Sequence, residues 1–346
     1  MNSLYEYYIK EDQWNYYSVI PNNRLNDKLF VTTKSSLAFI KDYFKEGGKE
    51  SVIKAFDVDD FDVPRADHTV SLFFLGVILL NNTEFKNLIF FPSTVNKQYD
   101  FFPFIWFLVC LSHDAAFHQE KNKDLLEIAK DIKILKKHLN IEHDLFSLQV
   151  KNVPASLLNV CEQYFLYRHE QGATDHGIHA GILLYDRLVK NRIVQKEQGD
   201  NSLEWHDSLD DDYAFAAATI ATHNIWFPKE KDFEKYREYG LENLIDHKKV
   251  NSKDSPLLYL LGIIDTIEPV KAYWQLKLKP KFVLQNIGLS FICSNTLQFS
   301  ILSPKLNIEV LYIKAKGLED WLDVKVSREN SAINIVLNLE AATRLE

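Results

Sequence analysis

The run Phe101–Leu111 has no charged residue, and it leads within two positions into His113-Asp114 in the stretch FIWFLVCLSHDAAFHQ (Phe104–Gln119). An apolar segment of this length is too short to span a bilayer, so it belongs inside a core. An imidazole and a carboxylate brought to that core cost several kcal/mol, on the order of a buried unpaired charge, unless they are paired or coordinate a metal. Two further His-Asp pairs, His143-Asp144 and His206-Asp207, lie in polar sequence and carry no such constraint. The first pair is therefore the one around which a site is expected.

Other buried elements follow the same rule. His68–Leu80 (HTVSLFFLGVILL) is apolar nearly all round and reads as a central helix, with Asp67 as its expected cap. Pro103 suits the first turn of a second buried helix running to about His118. Asp124–Leu139 has an amphipathic helical pattern, and Pro154 opens another helix. RHEQGATDHGIHAG (168–181) breaks and restarts the chain. There Gly172 closes one helix and Asp175 or Thr174 caps the next. Tyr213–Asn224 (YAFAAATIATHN) is a small-residue helix, and Ser255-Pro256 starts a buried helix that ends at Glu268-Pro269. After residue 280 the strand-like runs Ile287–Ile292, Leu297–Ile301 and Ile333–Leu337 flank a helical Leu306–Leu322. The fold class expected is mostly α, with a small C-terminal α+β appendage. Three consecutive blocks follow: an N-terminal helical segment over 1–60, a helical domain over 61–280, and the appendage over 281–346.

Composition limits the function classes. With a net charge of -8, broad binding to a nucleic-acid backbone is disfavoured. Cys110, Cys161 and Cys293 lack paired spacing and read as reduced thiols. The N-terminus has neither a basic nor an apolar signal region, so a cytoplasmic protein without a membrane partner is expected. The apolar strand runs after residue 281 fit either a homodimer interface or the appendage's own core.

The polar residues carried by the apolar helices form a set. His68, His113-Asp114, His176 or His179, His223 and Asp265 each sit near the end of an otherwise apolar element. Four imidazoles and two carboxylates suit one or two first-row metal ions. His169, His179 and Asp175 compete with His176, which is preferred because it opens an apolar helix among the small residues of DHGIHAG.

The order His68…His113-Asp114…His176…His223…Asp265 resembles the HD-domain superfamily of metal-dependent phosphohydrolases in its longer, two-metal form. The ending LLYLLGIIDTIEPVK (257–271) is similar to the D-x-I-E-P ending of the bacterial diadenosine-tetraphosphate hydrolase branch. The resemblance covers roughly residues 60–275. It implies an HD-domain-like helical bundle and one or two divalent ions, manganese, iron, cobalt or nickel. The implied substrate is a small phosphorylated molecule, foremost a nucleotide. Asp114 would bridge two cations, and a water between them would be acidified to a hydroxide nucleophile. Arg65 and Arg168 would hold phosphates, and Glu170 and Asn224 would orient imidazoles. Some members carry Lys three residues after the Asp. Phe117 stands there in this chain, with His118 next to it as the expected replacement. The same six-ligand order also serves HD-fold di-iron oxygenases, and a non-catalytic nucleotide-binding or interaction module is the third reading.

Overall fold

A computed structural model describes residues 2–9, 29–46, 50–56, 65–88, 101–200 and 205–339. The sequence also suggests a turn at Asn22-Asn23, a helix stop at Gly47-Gly48 and an acidic connection at Asp57–Asp62, all of which lie outside them. In chain order the elements used below are β1 (Asn2–Ser3), α1 (Leu4–Tyr8), α2 (Thr33–Glu46), α3 (Ala66–Asn82), α4 (Phe101–Ser112), α5 (Cys161–Glu170), α6 (His176–Glu197), α7 (Leu209–Thr222), α8 (Pro256–Ile267), α9 (Pro269–Ala272), β2 (Ile287–Cys293), β3 (Thr296–Ile301), α10 (Ile308–Gly317), β4 (Val324–Glu329) and β5 (Ala332–Leu337). The fold is mostly α with one small antiparallel sheet.

The chain forms two compact units, one of residues 1–53, 57–106 and 249–346, the other of residues 54–56 and 107–248. The expected blocks divide the chain by composition, whereas the units divide it by packing, so N-terminal and C-terminal segments share the first unit. The chain passes between units within α4.

In the first unit α3 is buried on every side from Ala66 to Leu79, which is why its sequence lacks a polar face. Its Phe73 and Phe74 pack in an aromatic cluster with Tyr8, Phe39 and Tyr43, at ring separations of 5.3–5.4 Å for Phe39–Phe74, Tyr8–Phe74 and Tyr43–Phe73. Asp67 does not cap α3. Its buried carboxylate accepts from Ser36 Oγ (2.5 Å) and Thr33 Oγ1 (3.0 Å), which ties α2 to α3. The sheet order is β1-β2-β3-β5-β4, antiparallel throughout. It contains the three expected strand runs together with Val324–Glu329 and the N-terminal Asn2–Ser3, neither of which was expected. VKVSRE alternates at its start, with Val324 and Val326 buried and Lys325 exposed, but its four charged or hydroxyl-bearing exposed residues mask the pattern.

In the second unit the amphipathic pattern over 124–139 does not make one helix. Asp131 caps a new helix through Ile134 N (2.7 Å), so Lys123–Ile128 and Ile132–His138 are separate and Ile128 is exposed. Pro154 precedes only a single turn, Ala155–Leu158, before α5. Gly172 adopts φ +76° just past α5, and Asp175 caps α6 through Ile178 N (2.9 Å), both as the sequence suggests. Helices α6 and α7 pack closely and antiparallel. A Cβ on Gly181 would lie 2.6 Å from Ala217 O and 2.8 Å from Ala221 Cβ, and one on Gly177 would lie 2.8 Å from Ile220 O. Glycines one turn apart on α6 therefore let the alanine-rich face of α7 approach backbone to backbone. Among the described residues no helix is long and apolar enough to cross a membrane. None of the three cysteines forms a disulfide among the described residues, and Cys110 and Cys161 are buried.

Candidate metal centre

The close approach of α6 and α7 fixes two imidazoles. His176 is the first residue of α6 and His223 follows the last residue of α7, so antiparallel packing puts their Nε2 atoms 3.3 Å apart. Gly177 is part of this arrangement, since a Cβ there would meet His223 Nδ1 at 2.9 Å. Helix α4 ends at Ser112 rather than near His118, because the apolar run that drives it stops there. His113 and Asp114 occupy the turn that follows, where a side chain can leave the helix packing. Asp114 directs Oδ2 to His113 Nε2 (3.3 Å) and Oδ1 to His176 Nε2 (3.4 Å). Asp114, His176 and His223 each offer a ligand atom, all within 4.8 Å of one another.

The other ring nitrogens decide what those Nε2 atoms can do. His113 Nδ1 donates to Cys110 O (3.1 Å) and His223 Nδ1 donates to Ile220 O (2.6 Å), and a carbonyl can only accept. His176 Nδ1 donates to Glu120 Oε1 (2.8 Å), which also accepts from Arg168 Nη2 (3.0 Å). With every Nδ1 carrying its proton, each Nε2 is directed at the cluster, the orientation a metal ligand needs, and His176 Nε2 offers its lone pair once it gives up its second proton.

The protonation pattern follows from the same geometry. Burial pushes the His176 imidazolium down, but Asp114 and Glu120 outweigh it, and the pKa rises to about 9. His223 falls to about 3, through burial first and then repulsion from His176 and His113. Burial would raise the Glu120 carboxyl, yet His176 and Arg168 hold it below its ordinary value. One proton thus sits on His176 between a carboxylate and a neutral imidazole, a place a cation would take.

The first unit carries a second arrangement of the same type. His68, in the first turn of α3, directs Nε2 to Asp265 Oδ1 (3.3 Å) in the last turn of α8. Its Nδ1 donates to Glu268 Oε2 (2.9 Å). Glu268 is fully buried and also accepts from Ser71 Oγ (2.6 Å), Val270 N (2.7 Å) and Lys271 N (2.8 Å), so it caps α9 while it orients His68. Tyr8 OH donates to Ser71 O (3.2 Å) and adds the N-terminal helix to this network. Burial lowers the His68 pKa, but Asp265 and Glu268 prevail and the net shift is upward. Lys271 Nζ lies 2.6 Å from Asp265 Oδ1.

The remaining expected residues fall elsewhere. Arg168 does not present a free guanidinium to a phosphate, because it pairs with Glu120 and lies over the Trp226 ring at 5.1 Å. His118 is exposed with Nε2 against the Gln119 amide (2.9 Å), and Arg65 precedes α3, half-buried. Glu170 orients no imidazole among the described residues and faces Tyr239 instead, whereas Asn224 Nδ2 donates to Asp175 Oδ2 (2.9 Å) beside His176. His169 donates Nε2 to Leu126 O (2.8 Å). His179 is buried, lowered to about 4 mainly by burial, and its Nδ1 has no hydrogen-bond partner. Of the other His-Asp pairs, Asp144 accepts from Phe146 N (3.1 Å) and pairs with Lys136 (2.6 Å), and Asp207 pairs with Arg192 (2.7 Å).

Two carboxylates that orient imidazoles, Glu120 and Glu268, were not assigned that role from sequence. Glu120 lies in the polar tract HQEKNKD, which reads as solvated loop. Glu268 stands inside the quoted D-x-I-E-P ending, and its place three residues after Asp265, at a helix end before Pro269, was the available signal. No protein-family model, curated protein or solved structure matches the chain.

Proposed function

We propose that this chain is a metal-dependent hydrolase of phosphoesters or phosphoanhydrides. In this reading His68, His113, Asp114, His176, His223 and Asp265 hold one or two divalent transition ions. The observation that carries it is the shared orientation of the four imidazoles: every Nδ1 donates to a fixed acceptor, and the three described above in the second unit and His68 in the first all direct Nε2 at Asp114, Asp265 or a second imidazole. Asp114 further supports it, since its two oxygens serve different imidazoles, the disposition of a bridging carboxylate.

When bound, such ions supply Lewis acidity to a phosphoryl oxygen and acidify a coordinated water. The chain's own residues do the rest. Glu120 and Glu268 hold His176 and His68 in one tautomer and one orientation, and Arg168 keeps Glu120 charged and in place. Arg65 is the cation we assign to the substrate's remaining phosphates. The substrate is a small phosphorylated molecule, foremost a nucleotide, and the protein acts in the cytoplasm.

Metal content of protein purified without chelators, together with a phosphatase and phosphodiesterase panel, tests this reading. One to two equivalents of manganese, iron, cobalt or nickel and release of phosphate or a monoester are expected. Oxygen consumption without phosphate chemistry would replace it with a di-iron oxygenase.

A further inference from the structure

Two large aromatic side chains stand in solvent beside the second unit's cluster. Phe117 is 57% exposed and Trp226 is 60% exposed. Single exposed apolar residues are ordinary on a protein surface. These two are distinguished by what holds them. Phe117 follows Asp114 by three residues, its N–H donates to Asp114 O (3.0 Å), and its ring meets the edge of His176 at 5.5 Å. Trp226 follows His223 by three residues. Its N–H donates to Tyr164 OH (3.2 Å), its carbonyl accepts from Tyr236 OH (2.9 Å), and both tyrosines are buried. The main chain under the indole is therefore pinned while the ring itself projects into water.

A single sequence of contacts joins the two rings. Phe117 leans on His176, His176 donates to Glu120, Glu120 accepts from Arg168, and the Arg168 guanidinium lies over Trp226. Each contact in that series involves a residue already needed to set His176. The cation above the indole also favours an electron-rich π-system at this edge of the site. Fixed aromatic rings of this kind are how proteins stack planar bases without reading their edges.

We propose that Phe117 and Trp226 form a stacking platform for a planar heterocycle carried by the substrate, so that the ligand class is a nucleoside phosphate rather than a sugar phosphate. The inference rests on the phosphohydrolase reading above for where the phosphate lies and for its nucleotide, and adds the two rings as the residues that recognise the base.

The test compares two non-hydrolysable ligands that differ only by the ring, the methylenephosphonate isosteres of adenosine 5′-monophosphate and of ribose 5-phosphate. Their affinities for the metal-replete full chain are measured by calorimetry. The adenosine ligand is expected to bind at least about tenfold tighter, a difference of about 1.4 kcal/mol. In Trp226→Ala and in Phe117→Ala that ratio should fall towards one, and Trp226→Tyr, which keeps a ring, should restore most of it. Both side chains are exposed, so their truncation leaves the core packing in place. Metal-dependent binding of both ligands with equal affinity would overturn the stacking platform and leave the phosphohydrolase reading standing. A ratio unchanged by the alanine variants would overturn it in the same way. Binding of neither ligand would overturn both.

Discussion

In the metal-free protein His176 keeps a proton up to about pH 9, because Asp114 and Glu120 outweigh burial, while His223 stays neutral down to about pH 3. A divalent cation that takes the His176 Nε2 lone pair must displace that proton. Metal affinity should therefore rise with pH over the whole range below about 9, by nearly tenfold per unit, and then level off. Between pH 6 and pH 8 the gain is about 100-fold, or about 2.7 kcal/mol at about 1.36 kcal/mol per unit. Competition with a chelator of known affinity at pH 6, 7, 8 and 9.5 measures it. Calorimetry in two buffers of different ionisation enthalpy counts the proton released. An affinity that levels off near pH 6.5, as for an ordinary imidazole, would refute the reasoning.

The same pair sets the stability of the metal-free fold. His176 has its folded pKa raised, so its contribution is complete below about pH 6.5 and is lost as pH climbs through about 9. It amounts to about 3 kcal/mol at most, from an upward shift of about 2.5 units. His223 has its folded pKa lowered, so its contribution is present above about pH 6.5 and declines as pH falls towards 3. Urea unfolding of chelated protein should show the site's contribution to be greatest near pH 6.5, falling on both sides.

Three further outcomes follow from the side-chain contacts. Glu120→Gln removes the charge that holds His176, so metal affinity should fall about 10- to 100-fold, and the pH at which the affinity curve levels off should move down, both read by the chelator competition. Asp114→Ala should abolish bound metal by elemental analysis, whereas Asp144→Ala, which removes only the contact to Phe146 N and the pair with Lys136, should cost about 1 kcal/mol of stability and leave metal content unchanged. Gly177→Ala places a Cβ against Ile220 O and His223 Nδ1, so denaturant unfolding should show a loss of about 1–3 kcal/mol, accompanied by weaker metal binding.

Much of the helical fold can be read from sequence because burial leaves a strong mark. The α3 sequence is apolar on all faces and is buried on all faces, and Ser255-Pro256 and Glu268-Pro269 bound α8 where the rules for proline place them. The misreadings share one cause, competition from a short polar side chain. Asp131 captures Ile134 N and splits an amphipathic run into two helices, and Asp67, a plausible cap by position, is drawn instead to two hydroxyls on α2. Periodicity records which face is apolar and is silent on which backbone N–H a carboxylate will take. Likewise, the pairing of Asn2–Ser3 with Gly288 and Leu289 is a non-local event that two residues cannot announce.

The candidate ligands were legible for a different reason. A histidine at the end of an apolar helix is anomalous wherever it occurs, so the anomaly is visible without the partner that explains it. The carboxylates that orient the ligands carry no such mark. Glu120 sits among Gln119, Lys121, Asn122 and Lys123, where a charged residue is unremarkable in sequence, and only the fold shows it accepting from His176 and Arg168 at once. Arg168 is the converse case. Its position beside the chain break suggests a free cation for phosphate, yet the charge it meets first is that of Glu120. The guanidinium is positioned by that carboxylate through Nη2 and by the indole beneath it, while its buried Nε has no hydrogen-bond partner. The consequence for the second unit's cluster is that the positive charge beside Asp114 is that of the His176 imidazolium, and the arginine serves to keep Glu120 ionised and in place to accept from it.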